Sequence, residues 1–405
     1  MRTTKFLVAG AAALALTLSA CAPNAAAPGN APAPGATGSA GTADTTPVKV
    51  DIIYSKTGPL AAYGETFYQG FQAGLDHATD GTGTVDGRKL EITYTDDAGN
   101  ADKAVAAAKD AIGNGTKIIG GTVVSGVALK LAEQAEQNKI LYISGPAATD
   151  AITGINKYTF RSGRQSLQDV ATAANGIPNG AKVTVFAQNN AFGQGNVAAV
   201  KAVLGAKGAT VNEVLVPEDV TEFTPFARQL VDAKPDLVFV AWAGATSGAM
   251  WQAVAQQGVL ESTTVSTGLG DRATYGAYGA ASDKITFLNH YFPGASGNDA
   301  EKKMIAGVEK AGGKADLFTP DGFVAAQMIV HAIKEGGGDV DRMIASLEGW
   351  SFDGPKGKTQ VRASDHALVQ EMYQVKLVKD GDSWKPELIN KVEPATVAPP
   401  EKKIG

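Results

Sequence analysis

VKVDIIY at residues 48–54, followed after SKTGPLAA (55–62) by YGETFYQGFQAGLDHAT at residues 63–79, is the stretch from which the fold is read. The first run is short and almost wholly apolar, as a strand buried on both faces requires. In the segment from Gly64 to Thr79, Phe67, Phe71, Leu75 and Ala78 recur at steps of four and three, which places them on one stripe of a helix. A buried strand feeding an amphipathic helix is the opening of a parallel βαβ unit.

The same alternation continues outward. Leu90 to Thr95 precedes Ala101 to Ile112, Lys117 to Gly121 precedes Ser125 to Gln137, and Ile140 to Ser144 runs into a turn at Gly145-Pro146. It restarts with Lys182 to Ala187 and a helix from about Gly193 to Leu204. Thr210 to Val216 follows, then a helix after Thr221, whose hydroxyl is a candidate N-cap. Asp236 to Trp242 leads into a helix to Gln257, and Thr263 to Thr267 completes the second set. The chain returns through Ile285 to Phe292, helices near Glu301 to Lys310 and Gly322 to Lys334, and a last strand at Glu371 to Val378. The fold class is therefore α/β, with two similar sets in tandem implying two Rossmann-like lobes.

The N-terminal residues set the compartment. Arg2 and Lys5 precede an unbroken apolar core from Phe6 to Leu18, the layout of a secretory signal peptide over residues 1–20 and too short for a membrane span. The only cysteine, Cys21, ends the run Leu18-Ser19-Ala20-Cys21, which resembles the lipobox of bacterial lipoproteins. That resemblance implies lipidation of Cys21 and a location on the outer face of the cytoplasmic membrane, or in the periplasm if the host has two membranes. Residues 22–47 are Ala, Gly, Pro, Ser and Thr with little else, too poor in apolar bulk to fold. With Cys21 they read as a lipidated tether, residues 21–47, spanning roughly 30 Å as a coil. Residues 393–405, with Pro394, Pro399 and Pro400, read as a flexible tail.

Composition excludes several classes. Removing residues 1–20, which carry two cations and no acid, takes the formal charge from -5 to -7, which argues against nucleic acid as a partner. His77, His290, His331 and His366 lie far apart, with no second cysteine, so no metal spacing is present and no cofactor is expected. Gly193-Gln194-Gly195 with Ala198 reads as G-x-G-x-x-A, but five residues separate it from the strand end, where a dinucleotide fingerprint needs its first glycine. No G-x-S-x-G elbow is present for a hydrolase. The expectation is a binding protein and not an enzyme.

Several segments stand in a telling order and spacing: Ser55-Lys56-Thr57-Gly58-Pro59-Leu60 with Tyr63-Gly64, Asp96-Asp97, Gly120-Gly121 with Ser125, and Pro146-Ala147-Ala148-Thr149. Asn189-Asn190-Ala191-Phe192-Gly193-Gln194-Gly195, Asp236-Leu237-Val238 and Asp365-His366 continue the series. Together they resemble the type I periplasmic binding proteins, specifically the branched-chain amino-acid and amide-binding group that serves ABC importers, over residues 48–392. The resemblance implies two lobes joined by three crossover hinge strands and a ligand closed between them. The crossovers are expected near Arg161 to Arg164, His290 to Pro293 and Phe352 to Lys356. That divides the chain into lobe 1 (48–162 plus 292–352) and lobe 2 (163–291 plus 353–392). It also implies a monomer that delivers its solute to a membrane permease and its ATPase complex. An envelope sensor would use the same fold.

The resemblance places the ligand carboxylate at the Ser125 and Thr149 hydroxyls and the Ala147 backbone, where helix N-termini favour an anion. Read from the residues alone, Ser125 and Thr149 are equally ordinary caps. Tyr63 is implied as a pocket wall, with Phe192, Trp242 and Phe323 as further candidates; for Phe323 core packing is the alternative. At the position where amino-acid binders hold the ligand ammonium with a carboxylate, this sequence has Leu269, and the acidic residue usual after the first crossover is replaced by Gln165 and Ser166. Asp271, or Asp321 from the other lobe, is the substitute candidate. The ligand is expected to be a branched-chain or other hydrophobic amino acid. Failing such a partner for its amine, an amide, a urea-type solute or an aromatic carboxylate takes its place.

Overall fold

The computed structural model describes residues 45–174 and 177–405. The signal segment, Cys21 and nearly all of the tether lie outside the described residues. Among the described residues no helix is long and apolar enough to cross a membrane.

Two sheets organise the chain. The first has the order β2-β3-β1-β4-β5-β6, from β1 (Val48–Tyr54), β2 (Thr84–Val85), β3 (Arg88–Asp96), β4 (Ile118–Gly120), β5 (Leu141–Ser144) and β6 (Thr159–Arg161). β1 runs parallel between β3 and β4, which explains why it is apolar on both faces. The second sheet has the order β16-β15-β11-β10-β9-β7-β8. It contains β7 (Lys182–Gln188), β8 (Thr210–Val216), β9 (Leu237–Ala241), β10 (Thr264–Gly268) and β11 (Ile285–Asn289), all parallel. A three-stranded sheet, β12 (Ser351–Gly354), β13 (Gly357–Val361) and β14 (Leu368–Val369), intervenes before the antiparallel pair β15 (Met372–Asp380) and β16 (Ser383–Val392).

The opening helix spans Ala61–Ala78 and buries Phe67 and Phe71 completely. Its packing against the helix Thr319–Gly336 depends on glycines. A Cβ on Gly70 would lie 1.9 Å from the Thr319 carbonyl oxygen, and one on Gly322 would lie 1.9 Å from that of Phe67. The two backbones therefore touch where any side chain would separate them. The helix after β8 starts at Thr224 with Phe223 at its cap position, so Thr221 is not its cap.

The chain passes between the sheets three times: after β6, after β11, and between β14 and β15. The first follows Arg161 and the second follows Asn289. The third is not at Phe352–Lys356: Val361 and Leu368 are fully buried in the apolar cluster of the first sheet, so β12 to β14 belong with that lobe and the chain crosses just before Met372. Hydrophobic demand decides this, because Val361 and Leu368 are buried in that cluster and Trp350 and Phe352 pack against it.

The tail is also ordered by contact. Val397 is fully buried, Arg362 Nη1 donates to the Pro399 carbonyl oxygen at 2.7 Å, and the Lys402 N–H donates to Asp365 Oδ2 at 3.0 Å. The expectation of a loose segment from residue 393 is corrected accordingly. Pro394 opens a short helix, Pro394–Val397, and the anchors are supplied by residues distant in sequence.

Candidate functional site

A cavity of about 450 Å³ lies between the carboxyl ends of the strands of both sheets, within the range of small-molecule sites. Such a position follows from parallel sheets, whose strand ends and helix starts converge on one edge. Pro59, Leu60 and Tyr63 follow β1, Val123 to Val127 follow β4, and Pro146 and Ala148 follow β5. From the second sheet come Gln188, Asn190 and Phe192 after β7, Trp242 after β9, Leu269 after β10 and His290 after β11.

The first-lobe rim is held by carboxylates. Asp96 Oδ1 accepts from the Lys56, Thr57 and Ala98 N–H groups, and Asp97 Oδ1 accepts from Ser55 Oγ at 2.6 Å. These bonds fix the loop that carries Leu60 and Tyr63. Tyr63 meets Phe318 edge-on with ring centroids 4.9 Å apart. Burial, then Asp271 and Tyr278, raises the Tyr63 phenol far above its ordinary pKa, so it stays neutral. Trp242 is braced by Phe223 at 5.3 Å and by a 3.0 Å hydrogen bond from Nε1 to Thr246 Oγ1. Tyr63, Phe192 and Trp242 all line the cavity.

The polar end differs in detail from the expectation. Ser125 lines the cavity as the first residue of the helix Ser125–Asn138, whose cap position is Val124, so Ser125 is not acting as a cap. Thr149 is a cap: its Oγ1 accepts from the Ala151 N–H at 3.3 Å at the start of the short turn Asp150–Ile152. Thr149 and Ala147 are buried and stand behind the lining, which Pro146 and Ala148 form instead. The reason is Arg161. This fully buried guanidinium donates to the carbonyl oxygens of Ala147, Thr149, Gly163 and Arg164 and to Thr153 Oγ1, drawing the loop away from the cavity. Burial lowers the Arg161 pKa to about 10, still charged at neutral pH.

Three further candidates fall outside the lining. Phe323 is fully buried in the helix Thr319–Gly336, its ring 5.3 Å from that of His77, so it is core. Asp271 caps the turn Arg272–Thr274, accepting from the Thr274 N–H, and only its neighbour Gly270 reaches the wall. Asp321 is likewise off the lining, with Oδ1 2.6 Å from His290 Nε2. Leu269 does line the cavity.

Among the lining residues not singled out as wall candidates from the sequence are Phe318, Arg164 and His290. Arg164 and His290 are visible there only as crossover positions. At those crossovers they join a buried network in which Lys356 Nζ lies 3.0 Å from His290 Nδ1. Burial raises Asp321 to about 7, lowers Lys356 to about 7 and holds His290 well below its ordinary value.

The lobes touch across the mouth. The Ala245 N–H donates to the Pro59 carbonyl oxygen at 3.2 Å, and Gly244 adopts φ +87° with no room for a side chain against Pro59 and Leu60. Gly193 and Gly195 lie in the helix Ala191–Val203, not in a strand-end loop, which removes the nucleotide fingerprint.

Comparison with known proteins gives concordant matches. Residues 47–382 match the family model described as periplasmic binding protein. Leu/Ile/Val-binding protein homolog 3 of Brucella melitensis is 26% identical over 300 residues, covering 73% of this chain and 80% of its own length. The crystal structure of an ABC-type branched-chain amino acid transporter from Rhodopseudomonas palustris CGA009 is 32% identical, with a TM-score of 0.73 over 88% of this chain and 99% of that one. A solute binding protein of an ABC transporter from Rhodopseudomonas palustris BisB5, in complex with 3,4-dihydroxybenzoic acid, is 26% identical. Its TM-score is 0.75, covering 86% of this chain and 98% of that chain.

Proposed function

This chain belongs to the periplasmic binding protein family, and we propose that it is the solute receptor of an ABC importer, closing on a small solute that has a carboxylate and an apolar body and presenting it to a membrane permease. The observation that carries the reading is the cavity between the two sheets, with aromatic walls at Tyr63, Phe192 and Trp242 and the N-terminus of the helix Ser125–Asn138 at its polar end. Aromatic walls supply apolar area with few rotamers to freeze, and a helix N-terminus favours an anion. No bond is made or broken. Burial of the solute between the lobes stabilises the closed arrangement, and the permease reads the surfaces that closure aligns.

The test is calorimetric titration with leucine, phenylalanine, benzoate and benzamide. Binding of at least one carboxylate supports the reading; a shift with none of the acids while neutral solutes bind would refute the carboxylate assignment. Export and anchoring through lipidated Cys21 are part of the same proposal, supported by the sequence before Cys21. Metabolic labelling with a fatty-acid analogue should mark the protein and fail for Cys21→Ser; a label kept by that variant would overturn the anchor.

A further inference from the structure

The cavity wall carries an ion pair whose hydrogen-bonding capacity is only partly used. Arg164 and Asp169 both line the cavity, across the first crossover and into the helix Ser166–Ala173. Arg164 is 9% exposed and Asp169 5%. Among the described residues, the one side-chain hydrogen bond of Arg164 runs from Nη1 to the Pro146 carbonyl oxygen at 2.9 Å. Nε lies 3.2 Å from Asp169 Oδ2, near enough for an ion pair but misaligned for a hydrogen bond, and Asp169 Oδ1 is buried with no hydrogen-bond partner among the described residues. A guanidinium has five N–H donors. A purely structural buried pair would have these groups satisfied, as Arg161 has, because unmade hydrogen bonds at buried charges are costly.

Several other polar groups on the wall are engaged. His290 has Asp321 on one ring nitrogen and Lys356 on the other. Gln188 Oε1 accepts from the Ala243 N–H, and Glu218 accepts from Asn190 Nδ2 at the exposed rim. Arg164 is therefore the cavity's source of uncommitted cationic donors. Its guanidinium carbon stands 5.3 Å from the Phe318 ring centroid, and Phe318 in turn holds Tyr63. A cation braced against one ring beside a second makes a site for a planar anion conjugated to a ring.

We propose that Arg164 reads the anionic group of the ligand, that Asp169 positions and attenuates it, and that the solute is a small aromatic carboxylate without an ammonium group. This rests on the solute-receptor reading above. An α-amino acid would bring its ammonium into a cavity that is apolar at Leu269 and in which Asp169 has Oδ2 against Arg164 and Oδ1 buried.

The experiment is calorimetric titration of benzoate, benzamide and phenylalanine into the unaltered protein, Arg164→Gln and Asp169→Asn. The unaltered protein should prefer benzoate to both other probes. Arg164→Gln should weaken benzoate by roughly thirtyfold, the size of a charge-assisted hydrogen bond, while leaving benzamide nearly unchanged. Asp169→Asn should strengthen benzoate, because it frees the guanidinium; a merely structural pair would be weakened by either change. If Arg164→Gln melts early, Arg164→Lys and Asp169→Asn carry the test. Benzoate affinity unaltered in both variants overturns the proposal, as does phenylalanine preferred by the unaltered protein and lost in Asp169→Asn, which would make Asp169 an ammonium partner. Those outcomes leave the receptor reading standing; failure of every solute to bind overturns both.

Discussion

The Thr149 N–H donates to Ser125 Oγ at 3.3 Å, so the residue at the cavity and the residue behind it form one unit. Ser125 then has its own proton free for a ligand, whereas the Thr149 hydroxyl oxygen is turned to the Ala151 N–H.

That asymmetry predicts unequal variants. Ser125→Ala should weaken carboxylate binding by about tenfold, the worth of one hydrogen bond to a charged group. Thr149→Ala should cost about 1 kcal/mol of stability through its lost cap and change affinity little. Calorimetry and urea denaturation of both variants check this; equal losses of affinity would refute the arrangement.

Closure depends on Gly244. A Cβ there would sit 2.7 Å from both the Pro59 carbonyl oxygen and Leu60 Cδ2. Gly244→Ala should hold the lobes apart at the mouth, abolishing the ligand-induced fall in radius of gyration seen by small-angle scattering. The loss of folding stability should stay near 1–2 kcal/mol, since only one loop residue is strained. Compaction that persists in the variant would show that the contact is dispensable.

Asp51 predicts a pH dependence. It is buried in β1, accepts from Thr95 Oγ1 at 2.9 Å, and is raised by burial from 3.8 to about 6. A carboxyl raised in the folded state contributes its relative stability below the unfolded value and loses it as pH climbs from about 4 through about 6. Asp51→Asn should therefore be the more stable protein at pH 8, by up to about 3 kcal/mol, with the difference vanishing near pH 4. Urea midpoints at the two pH values decide it, and a constant difference would count against the titration.

The C-terminal segment should matter to stability. Deleting residues 394–405 removes buried Val397 and the hydrogen bonds of Pro399 and Lys402 to Arg362 and Asp365. The expected loss is about 2 kcal/mol, read as a lower denaturation midpoint. An unchanged midpoint would mean that the docked tail contributes nothing.

Much of the fold is legible before any coordinates. Val48–Tyr54 and Thr210–Val216 occupy the strands their apolar runs mark, and Phe67 and Phe71 are buried as their spacing requires. These signals are local: strand and helix periods repeat over a few residues. β16 escapes the same reading because it is an edge strand with Pro386 inside it and charged residues around it, features an edge tolerates and an interior strand does not.

The chain by itself determined the strand and helix alternation, the two lobes, and the identity of Tyr63, Ser125, Phe192 and Trp242 as residues at strand-to-helix junctions. Parallel units converge on one edge, so junction residues reach the cleft wherever the lobes stand. Only the tertiary structure decided the rest. Thr149 and Ala147 were drawn behind the wall by Arg161, Phe323 was buried by a helix pairing that glycines permit, and Arg164 was left with unused donors beside Phe318. Each of those outcomes depends on which distant groups satisfy a buried charge or fill a gap, and that is settled by packing in three dimensions, where neighbours in space are not neighbours in sequence.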